Sequence, residues 1–99
     1  MTSPQVVNDT AAGRFEIGAN GGRAELVYRA VGNRLVLVHT EVPQELEGQG
    51  FGGILVAAAV DHAAAGGMTL VPLCPFARAW LERHPDTAGR VAIDWSADG

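Results

Sequence analysis

Lysine is absent from this 99-residue chain. Its seven basic side chains are all arginines and stand apart, against eleven Asp and Glu, for a net charge of −4. Without a basic cluster the chain is poorly suited to a nucleic-acid backbone. Cysteine occurs once, at Cys74. A lone thiol closes no internal disulfide and offers no Cys pair to zinc, so no metal site is expected. Apolar runs stop far short of the roughly 18–20 residues of a membrane span. Met1–Asp9 lacks the charged-then-apolar pattern of a signal peptide. These absences lead us to expect a cytoplasmic chain that meets neither membrane nor nucleic acid.

The composition that remains, 47% apolar and 18% charged, is globular. A chain of this length forms one domain. It buries roughly 60–65% of its unfolded surface, enough for a single modest core.

Met1–Ala12 shows no period and reads as a flexible leader, leaving residues 13–99 as the domain. Arg14–Ile17 is a short strand candidate. Asn20, Gly21 and Gly22 follow, residues that tolerate positive φ in a hairpin turn. In Arg23–Val31, Ala24, Leu26, Tyr28 and Ala30 alternate with Arg23, Glu25, Val27 and Arg29, the period of a half-buried strand. Gly32 and Asn33 make a second turn, and Arg34–Val42 is a third strand rich in Val and Leu. The three form an antiparallel meander. Pro43 ends it. A Glu-rich bend over residues 44–47 and the run Gly48-Gln49-Gly50-Phe51-Gly52-Gly53 lead to a helix over Ile54–Ala65. Its Val56, Ala59, Val60 and Ala63 share a face, and Gly66-Gly67 stops it. Met68–Leu73 reads as a fourth strand. Phe76–His84 reads as a second helix between Pro75 and Pro85, with Phe76, Trp80 and Leu81 turned to the sheet. Val91–Trp95 is a further strand or a docked coil. Third strand, helix and fourth strand make a β-α-β crossover, which pairs its strands in parallel. The expected fold is α+β: a mixed sheet, an antiparallel three-stranded meander followed by a β-α-β crossover and a second helix.

Three features carry chemistry. Four glycines within residues 48–53 let the backbone turn sharply and approach a ligand, and the helix start adds unpaired N–H groups and a positive dipole end. Together they suit a phosphate or diphosphate. No Gly-Lys-Ser/Thr follows, so this is not a Walker loop. Gly48, Gly50 and Gly53 fit Gly-x-Gly-x-x-Gly formally, but on a sheet that begins antiparallel. The plainer alternative is a helix-entry turn that needs glycine for itself. Second, strict alternation puts residues 35, 37, 39 and 41 on one face, so His39 and Glu41 stand side by side beyond Leu35 and Leu37. They read as a base position, or as two side chains emerging into solvent. Third, Cys74 ends the fourth strand and starts the second helix, a place that favours thiolate. It is expected to converge with His39 and Glu41 beside the glycine loop, or to be a small buried hydrophobe.

The bend, Gly48-Gln49-Gly50-Phe51-Gly52 and the Ala-rich helix together resemble the acetyl-CoA motif of the GNAT-type N-acetyltransferases, Gln/Arg-x-x-Gly-x-Gly/Ala, with Gly50 and Gly52 at its glycines. Val71-Pro72-Leu73-Cys74-Pro75-Phe76 and the residues that follow, to Pro85, are similar to its small one-domain, YjdJ-like subgroup. The resemblance covers Arg14–Asp86. It implies acetyl-CoA as cofactor, with backbone N–H groups of Gln49, Gly50, Phe51, Gly52 and Gly53 on the diphosphate. The pantetheine arm would lie between the third and fourth strands near Glu41 and Val42, and the thioester near Cys74 and His39.

The chain departs from the family pattern at three points. Glu47 stands where Gln or Arg is usual. No Tyr lies on the second helix, which leaves Cys74 as proton donor or acetyl carrier. The two helices that wall the acceptor in larger members have no counterpart. The expected activity is acetyl transfer to an amine, with an open acceptor site suited to a protein or peptide. His39 is the general base and Glu41 the second choice. A non-catalytic CoA- or acyl-CoA-binding module is the alternative, and a purely structural domain a further one. An exposed sheet edge allows a monomer or a weak homodimer.

Overall fold

Two-residue turns set the first half of the molecule. The computed structural model describes residues 5–19 and 21–96. β2 (Arg14–Ala19), β3 (Gly22–Val31) and β4 (Arg34–Glu41) pair antiparallel in sequence order. Gly21 and Gly32, at φ 80° and 59°, occupy the turn positions that a Cβ would strain. Asn20, assigned to the first turn, lies outside the described residues.

The crossover follows as expected. α1 (Phe51–Ala65) carries the chain from β4 to β5 (Thr69–Pro72), which pairs parallel with β4 from Arg34↔Thr69 to Leu37↔Pro72. α2 (Pro75–Arg83) and the single turn α3 (Pro85–Ala88) lead to β6 (Ala92–Ile93), parallel to β5. Among the described residues the mixed sheet therefore has six strands in the order β1 to β6.

β1 (Val7–Asp9) corrects the leader assignment. It pairs antiparallel with β2, Val7 opposite Glu16 and Asp9 opposite Arg14. Three residues are too few to show a period. Distant partners hold them instead: the Tyr28 hydroxyl donates to Asn8 Oδ1 at 2.6 Å, and Gly13 N–H bonds Asp9 O at 2.9 Å. Met1–Pro4 of the proposed leader lie outside the described residues.

The core lies between one sheet face and the helices. Ile17, Leu26, Leu35 and Leu70 face Leu55, Val56, Ala59, Val60 and Ala63 of α1. Each fully buried Leu, Ile or Val contributes roughly 1.5–3 kcal/mol. Ala30, expected on the inward face of β3, is exposed near the strand's end. The other sheet face bears no helix among the described residues. Arg14, Glu16, Arg23 and Glu25 form an ion ladder across it, with Arg23 Nε 3.6 Å from Glu25 Oε1. No described helix is long and apolar enough to cross a membrane.

Candidate active site

The site begins where alternation on β4 breaks. Val27 opposes His39 and Tyr28 opposes Leu37, so Val38 is an extra residue, a β-bulge. Beyond it every side chain changes face. Thr40, opposite buried Leu26, joins the helix-covered face. His39 and Glu41, opposite Val27 and Glu25, stand on the open face. The pair is together as expected, Nε2 to Oε1 at 3.4 Å, with side chains 61% and 67% exposed. It is not on the face of Leu35 and Leu37, and the reason is the bulge.

The bulge also ends the parallel ladder. Leu37 O accepts both Leu73 N–H (3.1 Å) and Cys74 N–H (2.9 Å), after which the chain leaves β5 for α2. Over His39–Glu41, β4 is paired with β3 and has no ladder toward β5. Two strands that part in this way expose a backbone edge, on which an extended ligand arm can add β-like hydrogen bonds.

Cys74 sits at this parting as the N-cap residue of α2. Its side chain is buried, and Sγ lies 3.2 Å from Thr40 Oγ1. It therefore adjoins the segment that carries His39 and Glu41, but through Thr40 and on the opposite face. Thr40 had no signal in the sequence, because only the bulge turns it inward.

The helix start lies beside the same parting. α1 begins at Phe51, three residues earlier than expected, because Gly50 caps it in the left-handed region at φ 78°. The first turn has no acidic residue and no side-chain cap, and Ile54 N–H is the amide that reaches back to Gly50 O. The amides of Phe51, Gly52 and Gly53 precede that bond and have no helical acceptor. They border a cavity of about 300 Å³ that Val42, Glu47, Phe76 and Trp80 also line. Glu47 is the only charged residue in this lining. Gln49 is exposed and outside it.

The glycines divide into two kinds. Gly48 (φ 84°) and Gly50 serve the backbone turn, with open space where a Cβ would go. A Cβ on Gly52 would meet the Phe76 ring at 2.6 Å, and one on Gly53 the Trp80 Nε1 at 2.3 Å. Those two glycines admit α2. Phe76 and Trp80 accordingly turn to the start of α1 rather than to the sheet, while Leu81 is in the core as expected. A larger hollow of about 470 Å³, between α2, α3 and β6, holds none of the expected site residues.

A family model described as GCN5-related N-acetyl-transferase matches residues 14–90, from β2 past α3. The chain belongs to the GCN5-related N-acetyltransferase family. Among its relatives are Protein NATD1 of Gallus gallus, 33% identical over 82% of this chain and 76% of that protein. Protein NATD1 of Homo sapiens is 32% identical over 82% and 74%. A GCN5-like protein of Staphylococcus aureus, solved in solution by NMR, superposes with a TM-score of 0.70 at 29% identity. That match covers 97% of this chain and 96% of the other. Membership of this acyltransferase family puts the split strands and the bare helix start in a fold built for acyl transfer.

Proposed function

We propose that the chain transfers an acetyl group from acetyl-CoA to an amine on the open face of the sheet. The observation that carries this reading is the bulge at Val38. It parts β4 from β5 beside the uncapped start of α1 and sends His39 and Glu41 to the face that no helix covers among the described residues. The donor set fits a coenzyme diphosphate, since it consists of neutral N–H groups at a positive dipole end with no acid in the first turn.

Gln49, Gly50, Phe51, Gly52 and Gly53 would hold the diphosphate through backbone N–H groups. Glu41 and Val42 would border the pantetheine arm along the unpaired β4 edge. Acetyl-CoA supplies the activated acyl thioester. On the open face His39, directly or through water, accepts a proton from the amine's ammonium, with Glu41 beside it as partner or as the second-choice base. On the covered face the Thr40–Cys74 pair stands ready to return a proton to the departing thiolate. Burial of Cys74 favours direct transfer over an acetyl-cysteine, because reactive cysteines sit partly exposed. An open, exposed base pair suits an amine presented on a protein or peptide.

Calorimetry with CoA and turnover on peptide amines test this. We expect CoA to bind, and the variant His39→Ala/Glu41→Gln to lose about 10² in kcat while keeping its affinity for CoA. CoA binding with no turnover on any amine would make the chain a CoA-binding module, and absence of CoA binding would remove the site.

A further inference from the structure

The cavity at the start of α1 offers one side-chain donor that the glycine motif does not include. Trp80 lines it together with Gly50, Phe51, Gly52 and Gly53. The indole packs against Gly53, with Nε1 the atom nearest to where a side chain at 53 would begin. Its plane is held by His84, whose ring stacks on it at 3.9 Å and 13°, with His84 Nδ1 2.7 Å from Trp80 O. Among the described residues no acceptor bonds this indole N–H. Arginine is missing from the lining, and Glu47 puts a negative charge there instead. A diphosphate at this helix start therefore has backbone amides and, within the lining, one neutral side-chain N–H, carried by the neighbouring helix. An N–H bonded to a charged oxygen is stronger than one bonded to a neutral acceptor.

We infer that Trp80 is a binding residue: its Nε1–H donates to the diphosphate of the bound coenzyme, beside the amides of Gly52 and Gly53. This rests on the reading of that cavity as the CoA site. Gly53 then has a second purpose, since the absence of a Cβ lets the indole come alongside the helix start. Trp80 faces phosphate oxygens and takes no part in the acyl chemistry, so its loss is expected in donor affinity and not in the chemical step.

The test compares two donors on one variant. Trp80→Phe keeps a flat ring against Gly53 and His84 and removes the N–H. It is expected to bind CoA about tenfold more weakly than the wild type by calorimetry. Turnover of S-acetylpantetheine, which has no diphosphate, is expected to be unchanged. Equal CoA affinity in folded wild type and variant would overturn the inference, as would an equal loss with both donors, which marks a packing residue. A wild-type protein that binds no CoA would instead overturn the site reading itself. A second measurement needs no variant at position 80. In ¹⁵N-labelled wild type, with Trp95→Phe used to assign the two indoles, the Trp80 Nε1–H resonance is expected to shift with CoA and stay fixed with pantetheine. No shift at saturating CoA contradicts the proposal.

Discussion

Thr40 Oγ1 and Cys74 Sγ stand 3.2 Å apart, 34 residues distant in sequence, at the point where two strands of the sheet part. Neither side chain reaches the other without the extra residue Val38, because a regular β4 would turn Thr40 to the open face. The pair closes the covered side of the opening, while His39 and Glu41 occupy its exposed side.

This contact makes a prediction about Cys74. Intact-protein mass spectrometry after exposure to acetyl-CoA is expected to show no acetyl adduct on the buried thiol, and the chain has no lysine to confuse the spectrum. Cys74→Ala and Thr40→Val each remove one half of the hydrogen bond. Each is expected to cost about 1 kcal/mol in denaturant unfolding and to lower kcat with CoA affinity retained. A labile adduct lost in Cys74→Ala would establish transfer through an acetyl-thiol.

The glycines of the helix start are expected to separate by substitution. Gly53→Ala drives a methyl into an indole pinned by His84, and is expected to lose about 1–3 kcal/mol. Gly52→Ala meets the Phe76 ring, which is 36% exposed and free to swing outward, so its cost is smaller. Gly50→Ala meets no neighbour and has only the positive-φ penalty of about 1 kcal/mol. Thermal unfolding of the three variants gives the order. A Gly53→Ala protein as stable as Gly52→Ala would mean that Trp80 is not held in place.

The sheet's far end supplies a pH prediction. Asp94 accepts hydrogen bonds from the Ser96 hydroxyl and amide and from Arg34, which hold its carboxyl at about 2 against an ordinary 3.8. A carboxyl lowered on folding adds stability above its unfolded pKa, and that stability fades as pH falls toward the folded one. The stability difference between wild type and Asp94→Asn is therefore expected to be full above about pH 4, to shrink below it and to vanish near pH 2. A difference that persists undiminished at pH 2 would show that Asp94 acts through shape rather than charge.

Much of the architecture was legible because its causes are local. Gly32-Asn33 and the Asn20-Gly21 region announce turns through backbone freedom. Ala24, Leu26 and Tyr28 announce one face of β3, and Val56, Ala59, Val60 and Ala63 one face of α1; all seven are buried. The crossover followed from element order alone. β1 was not legible, since three residues anchored by Tyr28 and Gly13 have no pattern of their own.

The candidate site was legible as a grouping of residues and less so by direction. His39 and Glu41 stand together as expected, but alternation cannot announce a bulge that shows only in the pairing with the neighbouring strand. The glycine run was visible as a run, while the reasons for Gly52 and Gly53 depend on α2, which lies more than twenty residues later in the chain.

The sequence by itself determined the strand–turn–strand order, the helix faces and the family motif, because each rests on neighbours within a few residues of one another. Only the tertiary structure decided which face His39, Thr40 and Glu41 present, and which glycines answer to backbone twist and which to a facing helix. The physical reason is that a one-residue bulge and an interhelical contact draw their energy from partners far along the chain, and no local period records them.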